Sequence, residues 1–255
     1  MDNGLFNENG YKNYIYLGVF IIFLLIVFLF FLFRGGKDSY LIVNESTIIK
    51  KEGFKYKQIN SLDTKILNGN FNVYSDGEFY KDVVIKNKSN EWYYFDKDYN
   101  DLDLNKVSLA YTKTFDGLKE ASYDVSFYDE NDDEVLSEVL KVDDISAYKN
   151  SIIKSSFDID NDGVVETIYT INNFSLNDSD GNFSFIFLSR NGKLVKIIDK
   201  DSNDSFLVQN IVDIDGNGKY ELLVSKGTND VVTYDTCMKI YSINKNKSKC
   251  ILDCK

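Results

Sequence analysis

Phe157-Asp158-Ile159-Asp160-Asn161-Asp162-Gly163-Val164-Val165-Glu166-Thr167-Ile168 and Val212-Asp213-Ile214-Asp215-Gly216-Asn217-Gly218-Lys219-Tyr220-Glu221-Leu222-Leu223 align without a gap. Their first acids lie 55 residues apart. Oxygen side chains recur at loop positions 1, 3, 5 and 9, and glycine holds position 6 in both. Apolar residues match as well: Phe157 with Val212, Ile159 with Ile214, Val165 with Tyr220, Ile168 with Leu223. One Asp/Gly turn needs no special explanation. Two in register, at the spacing of a propeller blade or a large supersecondary repeat, imply a repeated unit with shared chemistry.

That chemistry points to calcium. Calcium is a hard cation that takes six to eight oxygens at about 2.3–2.6 Å. Alternate residues at positions 1, 3 and 5 can turn their oxygens toward one centre, position 7 can add a backbone carbonyl, and glycine at 6 permits the reversal. The expected ligands are Asp158, Asp160, Asp162, the Val164 carbonyl and Glu166 in the first loop. In the second they are Asp213, Asp215, Asn217, the Lys219 carbonyl and Glu221. An EF-hand is excluded, because it needs a bidentate Glu at position 12 and flanking helices. Position 12 here is Tyr169 or Val224, and both loops run into β-branched strand patterns. Without the bidentate closing ligand, affinity is expected on the order of 10⁻⁴–10⁻³ M, as in extracellular modules. A third stretch, Asp101-Leu102-Asp103-Leu104-Asn105, has oxygens at 1, 3 and 5, but Lys106 replaces the glycine and Leu109 the closing acid, so no metal is expected there.

Around the loops the chain alternates with period two. Tyr40–Val43, Phe71–Tyr74, Asp82–Lys86, Trp92–Phe95, Val107–Tyr111 and Tyr123–Tyr128 read as strands, as do Thr167–Ile171, Phe183–Leu188, Leu194–Ile198, Phe206–Val208, Tyr220–Val224, Met238–Ile243 and Lys249–Leu252. Turn residues separate them, with Asn191-Gly192 a strong two-residue hairpin signal. Core burial is the expected use of Trp92-Tyr93-Tyr94, and exposed binding aromatics the alternative. One helix is expected, with Asp132 as its cap and Val135, Leu136, Val139 and Leu140 along one face. A final hairpin turning between Lys245 and Asn246 would set Cys237 opposite Cys254 and leave Cys250 over. Three reduced cysteines are the open alternative.

The sequence is therefore expected to be mainly β. The Asp158–Glu166 and Asp213–Glu221 loops resemble those of FG-GAP/VCBS-type repeats, the calcium-binding β-propeller repeats also found in integrin α subunits. The resemblance covers about residues 150–255, two blades' worth. It implies propeller-like antiparallel blades with calcium in an inter-strand loop, an extracytoplasmic setting, and a role in adhesion or ligand binding. The family's Phe-Gly and Gly-Ala-Pro signatures are missing, and a closed propeller needs about four or more blades. A small irregular propeller and a separate β domain are both open for residues 38–145.

Upstream, Asn13 to Phe33 carries no charge between Lys12 and Arg34. Some 20 apolar residues span roughly 30 Å as a helix, the thickness of a bilayer core. No small-x-small cleavage site follows it, so an uncleaved anchor is expected. The expected organisation is a tail at 1–13, a transmembrane helix at 14–34, a β-rich region at 38–145 and the calcium repeats at 146–255. Nearby basic residues (Arg34, Lys37, Lys50 and Lys51 after the span, Lys12 before it) would place the large domain in the cytoplasm. Weak calcium loops argue for the outside, where such sites fill, and that orientation is the expectation.

Composition removes other classes. Residues 1–37 carry a net +1, so the remainder holds −12 of the chain's total of −11, which opposes nucleic-acid binding. Histidine is absent, which rules out His bases, Ser-His-Asp couples and His-ligated zinc. The expected function is a non-catalytic, single-pass cell-membrane module that binds calcium and an extracellular protein or glycan. A membrane-bound sensor or accessory subunit is the alternative, and a surface hydrolase a more distant one.

Overall fold

The structure is a computed structural model that describes residues 17–26, 39–53, 55–60, 67, 70–88, 91–115, 117–142, 145–175, 183–201, 204–228, 237–244 and 247–252. The chain divides into two compact units, Met1–Lys37 and Asp38–Lys255.

In the first unit, residues 17–26 form a helix, α1. Leu17 and every residue from Val19 to Ile26 present large apolar side chains outward. Among the described residues no helix is long and apolar enough to cross a membrane. The rest of the expected span, 14–16 and 27–34, lies outside the described residues.

The second unit is mainly β, built from three open antiparallel sheets. Sheet I contains β1 (Ser39–Val43), β2 (Thr47–Glu52), β3 (Lys55–Ile59), β4 (Asn70–Ser75), β5 (Glu78–Lys88), β6 (Glu91–Phe95), β7 (Asp101–Leu102) and β8 (Val107–Thr112), in the order β3-β2-β1-β8-β4-β5-β6-β7. The chain then gives one short strand to each of the other sheets, β9 (Lys119–Glu120) and β10 (Asp124–Phe127), and forms helix α2 (Asp133–Leu140). Sheet II is a meander of β11 (Ile152–Phe157), β12 (Glu166–Phe174), β13 (Phe183–Arg190) and β14 (Lys193–Asp201), with β10 beside β11. Sheet III repeats the plan with β15 (Asp204–Asp213), β16 (Glu221–Thr228), β17 (Cys237–Asn244) and β18 (Lys247–Leu252), with β9 beside β15.

The 55-residue sequence repeat is thus a repeat of structure: each Asp loop joins the first two strands of a four-stranded meander. The meanders stack face to face because their strands alternate. Leu222 and Val224 of β16 pack with Ile168, Ile186 and Leu188 of sheet II, while Leu223 between them points the other way, to Leu41, Val43 and Leu109 of sheet I. Sheet III is therefore the middle layer, and its inner strand β16 carries the unbroken buried run Leu222-Leu223-Val224. Each fully buried leucine contributes about 2 kcal/mol. A bulge between Val208 and Asn210 keeps β15 in phase, so that Ile211 returns to the face held by Phe206 and Val208.

Both outer faces are closed locally. On sheet II, Leu136 and Leu140 of α2 cover Ile171, Phe174, Phe185 and Phe187. On sheet I, a cluster around Phe71, Val73, Ile85 and Tyr94 is covered by Leu67, with Ile59, Trp92, Leu102 and Leu104 packed against it. Tyr94 is core, Trp92 flanks the core and Tyr93 is partly exposed.

Asp132 does not cap α2 with its side chain. Asp129 caps the preceding 3-10 turn, accepting from the Asn131 N–H at 2.9 Å. Asp132 is instead buried, where it accepts from Lys154 Nζ at 2.7 Å and Tyr169 Oη at 2.8 Å. The interior needs its charge there: Lys154 is buried in β11, and Asp129 and Asp132 together neutralise it. In the last hairpin, Tyr241 faces Cys250 and Asn244 faces Lys247, the register the turn implies, with a shift between Ile240 and Tyr241. Cys237 is disulfide-bonded, and the Cys250 thiol donates to the Leu252 carbonyl at 3.0 Å. Cys254 lies outside the described residues.

Candidate metal centre

The two loops fold by the same hydrogen bonds. In the first, Asp158 accepts the Asp162 N–H at 3.0 Å and the Gly163 N–H at 2.8 Å. In the second, Asp213 accepts the Asn217 N–H at 3.0 Å and the Gly218 N–H at 2.8 Å. Position 5 then accepts from position 7: Asp162 from Val164 and Asn217 from Lys219, each at 2.8 Å. The closing acid reaches back to position 2: Glu166 accepts the Ile159 N–H at 2.9 Å and Glu221 the Ile214 N–H at 3.1 Å. Positions 4 and 6 are left-handed in both loops, as Asn161 and Gly163 in one and Gly216 and Gly218 in the other. The spacing of Asp, Gly and Glu thus encodes a backbone cage whose donors hold the acids in place.

The loops also touch. Asn161 Nδ2 donates to the Gly218 carbonyl at 2.7 Å, and the Tyr220 N–H donates to the Ile159 carbonyl at 3.0 Å. Phe157 and Tyr220 pack edge to face at 4.7 Å between ring centres. On the far side of the second loop, Gly216 lies so close to the Gly117 backbone that a Cβ on it would stand 3.1 Å from Gly117 Cα.

The acids are arranged differently in the two loops. In the first, Asp158, Asp160 and Glu166 bring carboxylate oxygens within 4.8 Å of one another, the one such group among the described residues. A guanidinium accompanies them: Arg190 Nε donates to Glu166 Oε1 at 2.7 Å, and Nη1 lies 3.1 Å from Asp160 Oδ2. In the second loop, Asp213, Asp215 and Glu221 do not converge to that degree. Asp213 and Glu221 are 2% and 4% exposed, yet among the described residues no salt bridge reaches any of the three acids. Burial, then the charges of Asp215 and Asp213, push Glu221 up to about 7, against hydrogen bonds from Ile214 and Ser242.

The donor set fits a hard divalent cation. It is all oxygen, and Asp160 Oδ1 is buried without a hydrogen-bond partner. Buried carboxylates are stable when paired or metal-bound. Val164 and Lys219 donate their N–H groups within the loops, as described. Asp101 of the third acidic stretch pairs with Phe95 at the edge of sheet I. Sequence reasoning missed Arg190: the Asn191-Gly192 turn puts it at the end of β13, but only the β12–β13 register (Thr167 opposite Ser189) sets it beside Glu166.

A cleft of about 380 Å³ opens where sheets I and III meet, lined by Tyr74, Asp76, Lys106, Ser108, Glu120 and Tyr123 among others. Glu120 accepts from Ser108 at 2.6 Å and Asn210 at 2.7 Å. Burial holds its pKa above the usual carboxylate range despite those donors. The volume is within the range of small-molecule sites. Compared with protein-family models, curated proteins and solved structures, the chain matches none.

Proposed function

We propose that the chain is a non-catalytic, calcium-stabilised binding module, anchored by one N-terminal membrane helix and displayed outside the cell. The observation that carries this reading is the second loop: Asp213 and Glu221 are both buried and, among the described residues, no salt bridge reaches either, a state that a divalent cation relieves. The equivalent hydrogen bonding of the two loops supports their reading as FG-GAP/VCBS-like repeats, with sheets II and III as propeller-like blades. The outward apolar side chains of α1, inside an uncharged run of sequence, support the anchor, since a helix apolar all round suits lipid. Weak sites of this type fill at extracellular calcium, which supports the outward orientation. The cleft around Tyr74, Lys106 and Glu120 offers rings and hydrogen-bonding groups suited to the hydroxyls of a glycan.

Thermal melting of the detergent-solubilised chain, with millimolar calcium or with chelator, tests the reading. An ion at ten times its Kd adds about 1.4 kcal/mol by mass action, which raises the melting temperature by several degrees. Equal melting in the two conditions would remove calcium from the account. Orientation is read separately, from protease cleavage of the β domain on intact cells.

A further inference from the structure

The two loops have the same backbone but not the same third strand. Thr167 faces Ser189 across β12 and β13, which places Glu166 beside Arg190. Glu221 faces Ser242 across β16 and β17. Arg190 and Ser242 therefore occupy equivalent positions in the repeat, next to the closing acid. In the first repeat that position holds a guanidinium whose side chain is 10% exposed and which contacts both Glu166 and Asp160. In the second it holds a neutral hydroxyl.

We infer that Arg190 is the resident cation of the first loop, so that the two loops differ in their need for metal: one is closed by the chain itself, the other by an ion from solution. The inference rests on the reading of these loops as calcium sites. A guanidinium stays charged at any physiological pH, and its fork can hold two carboxylates at once. It accounts for the convergence of the acids in the first loop, where a positive charge draws Asp160 and Glu166 together. It also accounts for the looser second loop, where backbone N–H groups and the Ser242 hydroxyl face the three acids but, among the described residues, no cation lies among them. A divalent ion arriving in the first loop would meet a fixed positive charge already bonded to two of its ligands. The backbone N–H groups bond the acids alike in both loops, so the difference lies in the guanidinium: it engages Glu166 and Asp160 in the first loop, and among the described residues no salt bridge reaches Asp213, Asp215 or Glu221 in the second.

The test counts ions. Equilibrium dialysis of the full chain in detergent at millimolar calcium is run on wild type, Arg190→Ser and Ser242→Arg, with melting curves in chelator alongside. Wild type should bind one ion. Arg190→Ser should bind two, melt lower than wild type in chelator and recover with calcium. Ser242→Arg should bind none, and its melting should no longer respond to calcium. Two ions on wild type, or an unchanged count in both variants, would overturn the inference. If Arg190→Ser does not fold, Ser242→Arg decides alone: retention of the calcium response overturns the proposal and its loss supports it. If wild type binds no calcium, the preceding reading fails. Arg190 is then judged in chelator alone, where Arg190→Ser must lose clearly more stability than Ser242→Ala, and equal losses overturn it.

Discussion

At the scale of single residues, the two loops show how a few positions set the cage. Gly216 combines a φ of +72° with backbone contact from Gly117, whereas Gly163, φ +88°, faces open space. An alanine at 163 meets only left-handed strain, about 1 kcal/mol. At 216 it must also push Gly117 away, so Gly216→Ala should cost about 2–3 kcal/mol, as over-packing does. Urea titration of the two variants checks the order of the losses. Glu221 makes a second prediction, on pH. Its ordinary pKa is 4.5 and its folded value about 7, so between these values the folded chain holds a proton that the unfolded chain has released. Without calcium, stability should therefore fall as pH rises from about 4.5 to about 7 and then level off. With calcium bound to the ionised form the fall should be offset, so the melting shift due to calcium should grow across the same interval.

At the scale of elements, the short segment between the sheets carries more of the fold than its length suggests. Lys154 on β11 is held by Asp129 and Asp132 ahead of α2, so the ion triad fastens the helix to the sheet that it covers. Lys154→Met leaves Asp132 buried without its cation and should cost about 3 kcal/mol, seen as a lower urea midpoint at unchanged slope. How far such features can be read in sequence depends on their range. Strands such as Phe71–Tyr74 and Val107–Tyr111 announced themselves by alternation, and the β13–β14 hairpin by Asn191-Gly192. The loops were legible because their oxygen-bearing residues at positions 1, 3 and 5 are only two residues apart and recur in register. β2 and β3 were not among the expected strands: Thr47–Glu52 and Lys55–Ile59 are rich in lysine, and β3 is an edge strand with one face wet. Asp132 looked like a cap because the spacing of Asp before an apolar run is local, while its real partners, Lys154 and Tyr169, come 22 and 37 residues later. Arg190 was hidden for the same reason.

At the scale of the whole β unit, the middle layer ties the others together. Sheet III contributes side chains to the clusters on both of its faces, so its loss would expose apolar surface on sheets I and II together. Unfolding of residues 38–255 should therefore follow a single cooperative transition, with calorimetric and van't Hoff enthalpies in agreement. Two separate transitions would show that the layers hold independently. The lid on sheet II makes a different prediction. Replacing Leu136 and Leu140 by Asp detaches α2 and bares the face around Phe174, Phe185 and Phe187; an apolar patch of that kind seeks a partner. The variant should self-associate in light scattering under conditions where wild type does not.

The position of α2 also bears on how many such units can stack. Duplication lengthens a row of strand–loop–strand units only where the last one leaves a bare side for the newcomer. Here an eight-residue segment occupies that side. A further unit could join on that face of sheet II only by evicting it, so this short stretch acts as a cap that ends the stack there.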